Sequence, residues 1–342
     1  MASWVIVGTG ALSTLWAHGL QASSADVVIY SRHLEDQGGV ELSVTQQIAA
    51  NMRRFPVIHD AGEAAPGAIW LIMVKAWQLE PLLIQLAQQG LRQATIILSH
   101  NGMGAGEDII AAQAEWQIYD LVTTQGAWRP ERNHSVYAGV GESWLGSRAR
   151  LGAHLGAHLG AHLGAHGEDR EVETNEPEGK RNQASQTERS KGALSKPHQY
   201  TAPEWFVELA QAFPPLHWQP NILHRRWQKM AINCAINPLA TLANEANGVL
   251  QSDKFQGHIR AVCEEIANVN PALDADELVR QVQQVAAATA TNKCSMLQDV
   301  TAGRRTEIAF LNGFICREGE RLRVATRVNC ELAKQIAALK LS

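Results

Sequence analysis

Short apolar runs, set between longer mixed stretches, organise the N-terminal third of the chain. Residues 4–7, 27–30, 68–74 and 94–99 are apolar almost without interruption. Unbroken runs of this kind suit strands covered on both faces, whereas a strand with one wet face alternates. Between them, residues 11–21 and 78–89 carry helical patterning. Strands alternating with helices predict βαβ units around a parallel sheet. Residues 136–145 predict one further strand. Beyond Ala202 the period changes, and 202–212, 225–244, 257–269, 275–293, 299–319 and 329–341 all read as helices. The predicted fold class is an α/β N-terminal domain followed by an all-α C-terminal domain.

The two halves are separated by an unusual stretch. Residues 151–166 are four copies of Leu-Gly-Ala-His, and 167–200 are polar with few large apolar groups. Such a segment buries too little surface to offset its ordering entropy, so it reads as a disordered insertion. The predicted division is 1–149, 150–200 and 201–342. Metal binding by His154, His158, His162 and His166 is the competing reading, because their spacing aligns them on one helical face. A glycine in every repeat opposes that helix by about 1 kcal/mol each.

Bulk properties narrow the function. The 342 residues carry a formal charge of −4, which gives no field for attracting phosphate backbones and argues against a nucleic-acid partner. No apolar run reaches the roughly 20 residues that cross a bilayer. The start Met1-Ala2-Ser3-Trp4 lacks the basic and apolar regions of a signal peptide, so a cytoplasmic, membrane-free protein is expected. The five cysteines are scattered and never form a C-x-x-C pair, so they are expected to be reduced and mostly buried.

The turn after the first strand reads Val7-Gly8-Thr9-Gly10-Ala11-Leu12-Ser13. Gly8 permits a tight turn, and Gly10 leaves room for a pyrophosphate. The helix from Ala11 then offers unpaired N–H groups and its positive dipole end to that anion. Ser13 replaces the third glycine of the dinucleotide fingerprint and is small enough to keep helix and strand close. This context predicts a Rossmann-type domain. The second strand ends Tyr30-Ser31-Arg32-His33, with no acid at its tip to hold a ribose 2′-hydroxyl. A guanidinium at Arg32 suits a 2′-phosphate, which favours NADPH/NADP+ over NAD(H). Lys75 and Asn101 follow the third and fourth strands, where open α/β sheets bind ligands. Lys75 reads as a phosphate or ribose contact or as an exposed lysine. Asn101 reads as a contact to nicotinamide ribose or substrate, or as a turn asparagine.

Two polar stripes mark the C-terminal half. Lys229, Asn233 and Asn237 lie at i, i+4 and i+8 of a mostly apolar helix and so share a face, which suggests the wall of a site. Ser295, Asp299, Gly303 and Glu307 also run at intervals of four, with a glycine gap able to admit a ligand; an ordinary ion-paired helix face is the alternative.

The motifs VGTGAL, VKAWQ, HNGMG, WQKMAINCAINPL and SMLQDVTAGRRTEI together resemble the ketopantoate reductase (2-dehydropantoate 2-reductase) family, over residues 1–145 and 203–320. The resemblance implies NADPH-dependent reduction of 2-dehydropantoate to (R)-pantoate, in a cleft between a Rossmann-type and a helical domain. It implies catalytic roles for Lys229 and Glu307, and substrate contacts from Asn233, Asn237, Asn292, Ser295 and Asn101. It implies cofactor contacts from Gly8, Thr9, Gly10, Ala11, Leu12, Arg32, Lys75, Asn101 and Glu307. The expected partner is a small keto acid, no metal is expected, and a homodimer is compatible with the family. A related reductase of another keto acid and a non-catalytic NADP(H)-binding protein are the alternatives. The presence of both Lys229 and Glu307 argues against the second, since binding alone needs neither.

Overall fold

The computed structural model describes residues 2–31, 39–46, 49–148 and 201–339. Arg32, the Leu-Gly-Ala-His repeats and the rest of the 150–200 reading lie outside the described residues. The fold begins with β1 (Ser3–Val7), α1 (Ala11–Ala22) and β2 (Asp26–Tyr30), a βαβ unit in which β1 and β2 pair in parallel from Ser3↔Asp26 to Val7↔Tyr30. Next come β3 (Val40–Gln46), β4 (Ala49–Phe55), β5 (Val57–Ile58) and β6 (Ile69–Ile72). They are followed by α2 (Ala76–Gln88), β7 (Ala94–Leu98), α3 (Glu107–Ala112) and β8 (Trp116–Thr123). Strands β9 (Gly126–Glu131), β10 (His134–Gly139) and β11 (Ser143–Ser147) complete the part before residue 149.

The main sheet runs β12-β11-β8-β7-β6-β1-β2-β5, where β12 is Leu216–Trp218. All its pairings are parallel except β8 with β11. The continuous apolar runs are explained by cover on both faces. Leu15, Trp16 and Leu20 of α1 pack with Trp4, Ile6 and Leu71 on one side. Leu79, Leu82, Leu83 and Leu86 of α2 pack with Val5, Trp70 and Ile96 on the other.

Two expectations are corrected here. Residues 136–145 are parts of two strands, β10 and β11, which belong to different sheets. A second sheet, ordered β4-β3-β10-β9, packs on α1. Its β3 alternates, with Val40, Leu42 and Val44 buried, so it carries the period of a one-sided strand rather than an apolar run. The stretch beyond Ala202 is not wholly helical, because β12 extends the main sheet by pairing in parallel with β11. The helix α4 (Phe206–Ala212) before it packs on α1, and Glu208 accepts hydrogen bonds from Trp4 Nε1 at 3.1 Å and Ala2 N at 3.0 Å.

The remaining helices are α5 (Ile222–Ala243), α6 (Asp253–Val269), α7 (Ala275–Ala288), α8 (Ser295–Thr301), α9 (Asn312–Leu322) and α10 (Arg327–Ala337). They surround one apolar core in which Met230, Cys234, Ile259, Ile266, Val282 and Leu332 are all buried. The predicted helix over 299–319 is broken. Thr301 ends α8, Gly303 takes φ +64°, and a short 3-10 turn at Ile308–Phe310 precedes α9. Cys316 and Cys330 form a disulfide between α9 and α10, with Cα atoms 5.5 Å apart, which corrects the expectation that all thiols are reduced. Helix packing, not sequence spacing, brings this pair together. Cys234, Cys263 and Cys294 are free and buried. Among the described residues there is no cluster able to hold a metal ion, and no helix is long and apolar enough to cross a membrane.

Candidate functional site

The carboxyl ends of β1, β6, β7 and β8 lie side by side, at the place where chain connections leave the sheet in opposite directions. Open α/β sheets bind ligands at such switch points. After β1, Gly8 adopts φ +99°, a left-handed conformation that disfavours any side chain. A Cβ there would also sit 3.2 Å from the Met73 carbonyl oxygen, because the turn packs against the end of β6. Gly10 is the N-cap of α1. No side chain caps this terminus, and no acid stands in the first turn. The first N–H groups of α1, around Ala11 and Leu12, thus remain available to an anion. Ser13 is buried and donates its hydroxyl to the Gly10 carbonyl at 3.0 Å, so the serine closes the turn where a third glycine would stand. These features fit the diphosphate of a dinucleotide.

The segments after β6 and β7 meet a loop from the helical half. Glu307 is 5% exposed, although it lies in a loop. Its carboxylate accepts from Ala76 N at 2.9 Å and from Asn101 Nδ2 at 2.9 Å, and Lys75 Nζ stands 3.6 Å away. Glu307 thereby caps the N-terminus of α2 from another part of the fold, the favourable end of that helix dipole for a negative charge. Lys75 donates to Asp299 Oδ2 at 2.6 Å, and Asp299 also accepts from Arg304 Nε at 3.0 Å. The side chains of Lys75, Asn101, Asp299 and Glu307 therefore form one network. Asp299 and Glu307 do not share a helical face as the four-residue spacing suggests. The break at Gly303 turns the chain and brings them to Lys75 together.

A crevice beside this network is lined by His100, Asn101, Asp120, Arg226, Lys229 and Asn233, among others. Lys229 and Asn233 are one turn apart on α5, as their spacing requires. Burial lowers the Lys229 ammonium below its ordinary value, and the Glu307 carboxylate opposes that shift. Asn237 is buried one turn further along. Asn292 and Ser295 are exposed. They flank Cys294, whose Sγ contacts the Asn237 carbonyl at 3.6 Å, so they border the far end of the stripe rather than the crevice.

Sequence reading missed the charged floor of the crevice. Asp120 accepts from Arg148 Nε at 2.9 Å and from Arg148 Nη2 at 2.5 Å, and also from Arg226 Nη1 at 3.1 Å. Arg148 also pairs with Glu107 at 3.1 Å. Burial would raise the Asp120 carboxyl, but the two guanidiniums outweigh it and hold it below the usual range. His100 is driven down to about 3 by burial and then by Arg226, so it stays neutral. An aspartate inside the apolar run Ile118–Val122 and an arginine one turn before Lys229 were the available signals. Arg129 was missed as well. It reaches the glycine turn and donates from Nη1 to the Thr9 carbonyl at 2.7 Å.

Residues 4–150 match the family described as "Ketopantoate reductase PanE/ApbA", and residues 221–340 match its C-terminal counterpart. The chain is 30% identical to the 2-dehydropantoate 2-reductase of Vibrio cholerae over 99% of its length and 98% of that protein. It is 25% identical to the enzyme of that name from Archaeoglobus fulgidus, over 98% of this chain and 97% of that one. The solved 2-dehydropantoate 2-reductase of Methylococcus capsulatus shares the fold, with a TM-score of 0.74, 19% identity and coverage of 98% and 96%. A ternary structure of D-mandelate dehydrogenase with NADH and anilino(oxo)acetate shares it too, with a TM-score of 0.73, 19% identity and coverage of 98% and 97%. With two matched stretches spanning most of its length and a relative at this identity across the whole chain, the protein belongs to the ketopantoate reductase family.

Proposed function

We propose that this protein reduces 2-dehydropantoate to (R)-pantoate with NADPH, a step toward pantothenate. The observation that carries the reading is the crevice in which Lys229 and Asn233 of α5 face Asn101, beside the buried Glu307 network. NADPH, when bound, supplies the hydride for the substrate's C2 carbonyl. Gly8, Thr9, Gly10, Ala11 and Leu12 are proposed to hold its diphosphate, and Arg32 its 2′-phosphate. Negative charge develops on the C2 oxygen as the ketone is reduced. The Lys229 ammonium stabilises that charge and transfers its proton to the oxygen, giving the alcohol. Burial lowers the Lys229 pKa and so makes this proton easier to give, while the Glu307 carboxylate opposes that shift and favours the ammonium.

Glu307 is in turn fixed by Ala76, Asn101 and Lys75, so its charge has a defined position. Asn101, Asn233 and Asn237 orient the keto acid without adding charge, and Asn292 and Ser295 are proposed to meet its carboxylate end. The buried Asp120 triad fastens α5 to the sheet and so fixes Lys229 relative to the glycine turn. The test is NADPH oxidation by the purified chain against a panel of 2-keto acids. Ketopantoate is expected to be turned over fastest. Lys229→Ala should lower that turnover by about 10³-fold, the range of a lost general acid, while NADPH binding persists. Faster turnover of another keto acid, or Lys229→Ala activity near that of the parent, would overturn the reading.

A further inference from the structure

We infer that Arg129, carried by the second sheet, is a cofactor-binding residue that supplies the full positive charge facing the dinucleotide diphosphate. The inference rests on the NADPH reading above and assigns it a residue outside the Rossmann unit. Arg129 lies on β9, and its Nη1 donates to the carbonyl of Thr9, the middle residue of the glycine turn. It is exposed, and among the described residues no carboxylate pairs with it. The remaining guanidinium donors therefore stand beside the uncapped start of α1. A helix N-terminus offers N–H groups and a partial charge, not a whole one. Among the described residues near these strand ends, Lys75 is engaged by Asp299 and Glu307, Arg148 and Arg226 share Asp120, and Lys229 lines the crevice. A full countercharge would add to what the helix N-terminus offers a diphosphate on the turn, and a planar guanidinium suits phosphate oxygens. The packing of the second sheet on α1 is what delivers this one.

The test is titration of the full chain with NADPH and, separately, with NADH, following nucleotide fluorescence. Arg129→Gln removes the charge and keeps a polar amide on a side chain two atoms shorter. Arg129→Lys keeps the charge. The expected result is a roughly tenfold weaker Kd for both nucleotides in Arg129→Gln, the scale of one charge-assisted hydrogen bond. The dependence of Kd on salt should flatten, and Arg129→Lys should recover most of the loss. Unchanged binding in Arg129→Gln would overturn the inference. A loss confined to NADPH would also overturn it, because that places the charge at the 2′-phosphate. Equal losses in both variants with a lowered Tm would reduce Arg129 to a brace for the turn. A chain that binds both nucleotides with this pattern yet reduces no keto acid would sink the proposed function and leave Arg129 in place.

Discussion

The glycine turn and the Glu307 network sit at the ends of adjacent strands yet are built in opposite ways. The turn's backbone is local: Gly8 to Ser13 supply it with N–H groups and one left-handed φ, and the Arg129 side chain is brought to it from the second sheet. The network is assembled: Lys75, Ala76, Asn101, Asp299 and Glu307 come from three distant segments, and its chemistry is side-chain charge. The Asp120 triad is assembled in the same manner from β8, the end of β11 and α5. A local site tolerates movement of the rest of the molecule, while an assembled one depends on every element that brings its parts together.

This contrast predicts where single substitutions hurt. The largest effect on stability is expected from Asp120→Ala. It leaves Arg148 and Arg226 buried without their shared carboxylate, and loss of one partner of a buried pair costs about 3–5 kcal/mol. Urea unfolding measures this, and Arg226→Leu in the same background should restore part of the loss. If Asp120→Ala is as stable as the parent, the triad holds nothing together and the contrast fails at its strongest point.

Glu307→Gln comes next, with turnover expected to fall about a hundredfold, within the range of a lost acid–base or electrostatic partner. The pH profile gives the sharper reading. Burial lowers the Lys229 pKa, so the competent ammonium is lost, and kcat/KM falls, as pH rises through a value below that of an ordinary lysine. Removing the carboxylate that favours the ammonium should shift this alkaline limb to still lower pH. An unmoved limb would mean that Glu307 does not act on Lys229.

The smallest effect is expected at the local site. Gly8→Ala forces a side chain into φ +99° at a cost of about 1–2 kcal/mol. NADPH binding should weaken several-fold by titration, while kcat at saturating nucleotide stays near the parent value. A large fall in kcat instead would show that the turn and the catalytic network are not separable.

The same distinction accounts for what could be read from the chain before its fold was known. Four of the eight main-sheet strands, β1, β2, β6 and β7, were legible together with α1 and α2, because continuous apolar runs and helical spacing are local signals. The stripe on α5 was legible because an α-helix converts spacing of four into one face. The second sheet was not, because β3 alternates polar with apolar residues and β4 is exposed along most of its length, so both resemble connecting segments. Residues 299–319 misled for the opposite reason: a four-residue spacing persisted across Gly303, where the helix stops.

The sequence alone determined the α/β-then-helical class, the glycine turn, and Lys229, Asn233 and Asn237 as neighbours, because each depends on a backbone period over a few residues. Tertiary structure decided that Lys75 faces Asp299 and Glu307, that Asp120 is shared by Arg148 and Arg226, that Cys316 meets Cys330, and that Arg129 reaches Thr9. Those contacts join residues on separate elements. Their distances are set by how sheets and helices pack to bury apolar surface, which spacing along the chain does not encode.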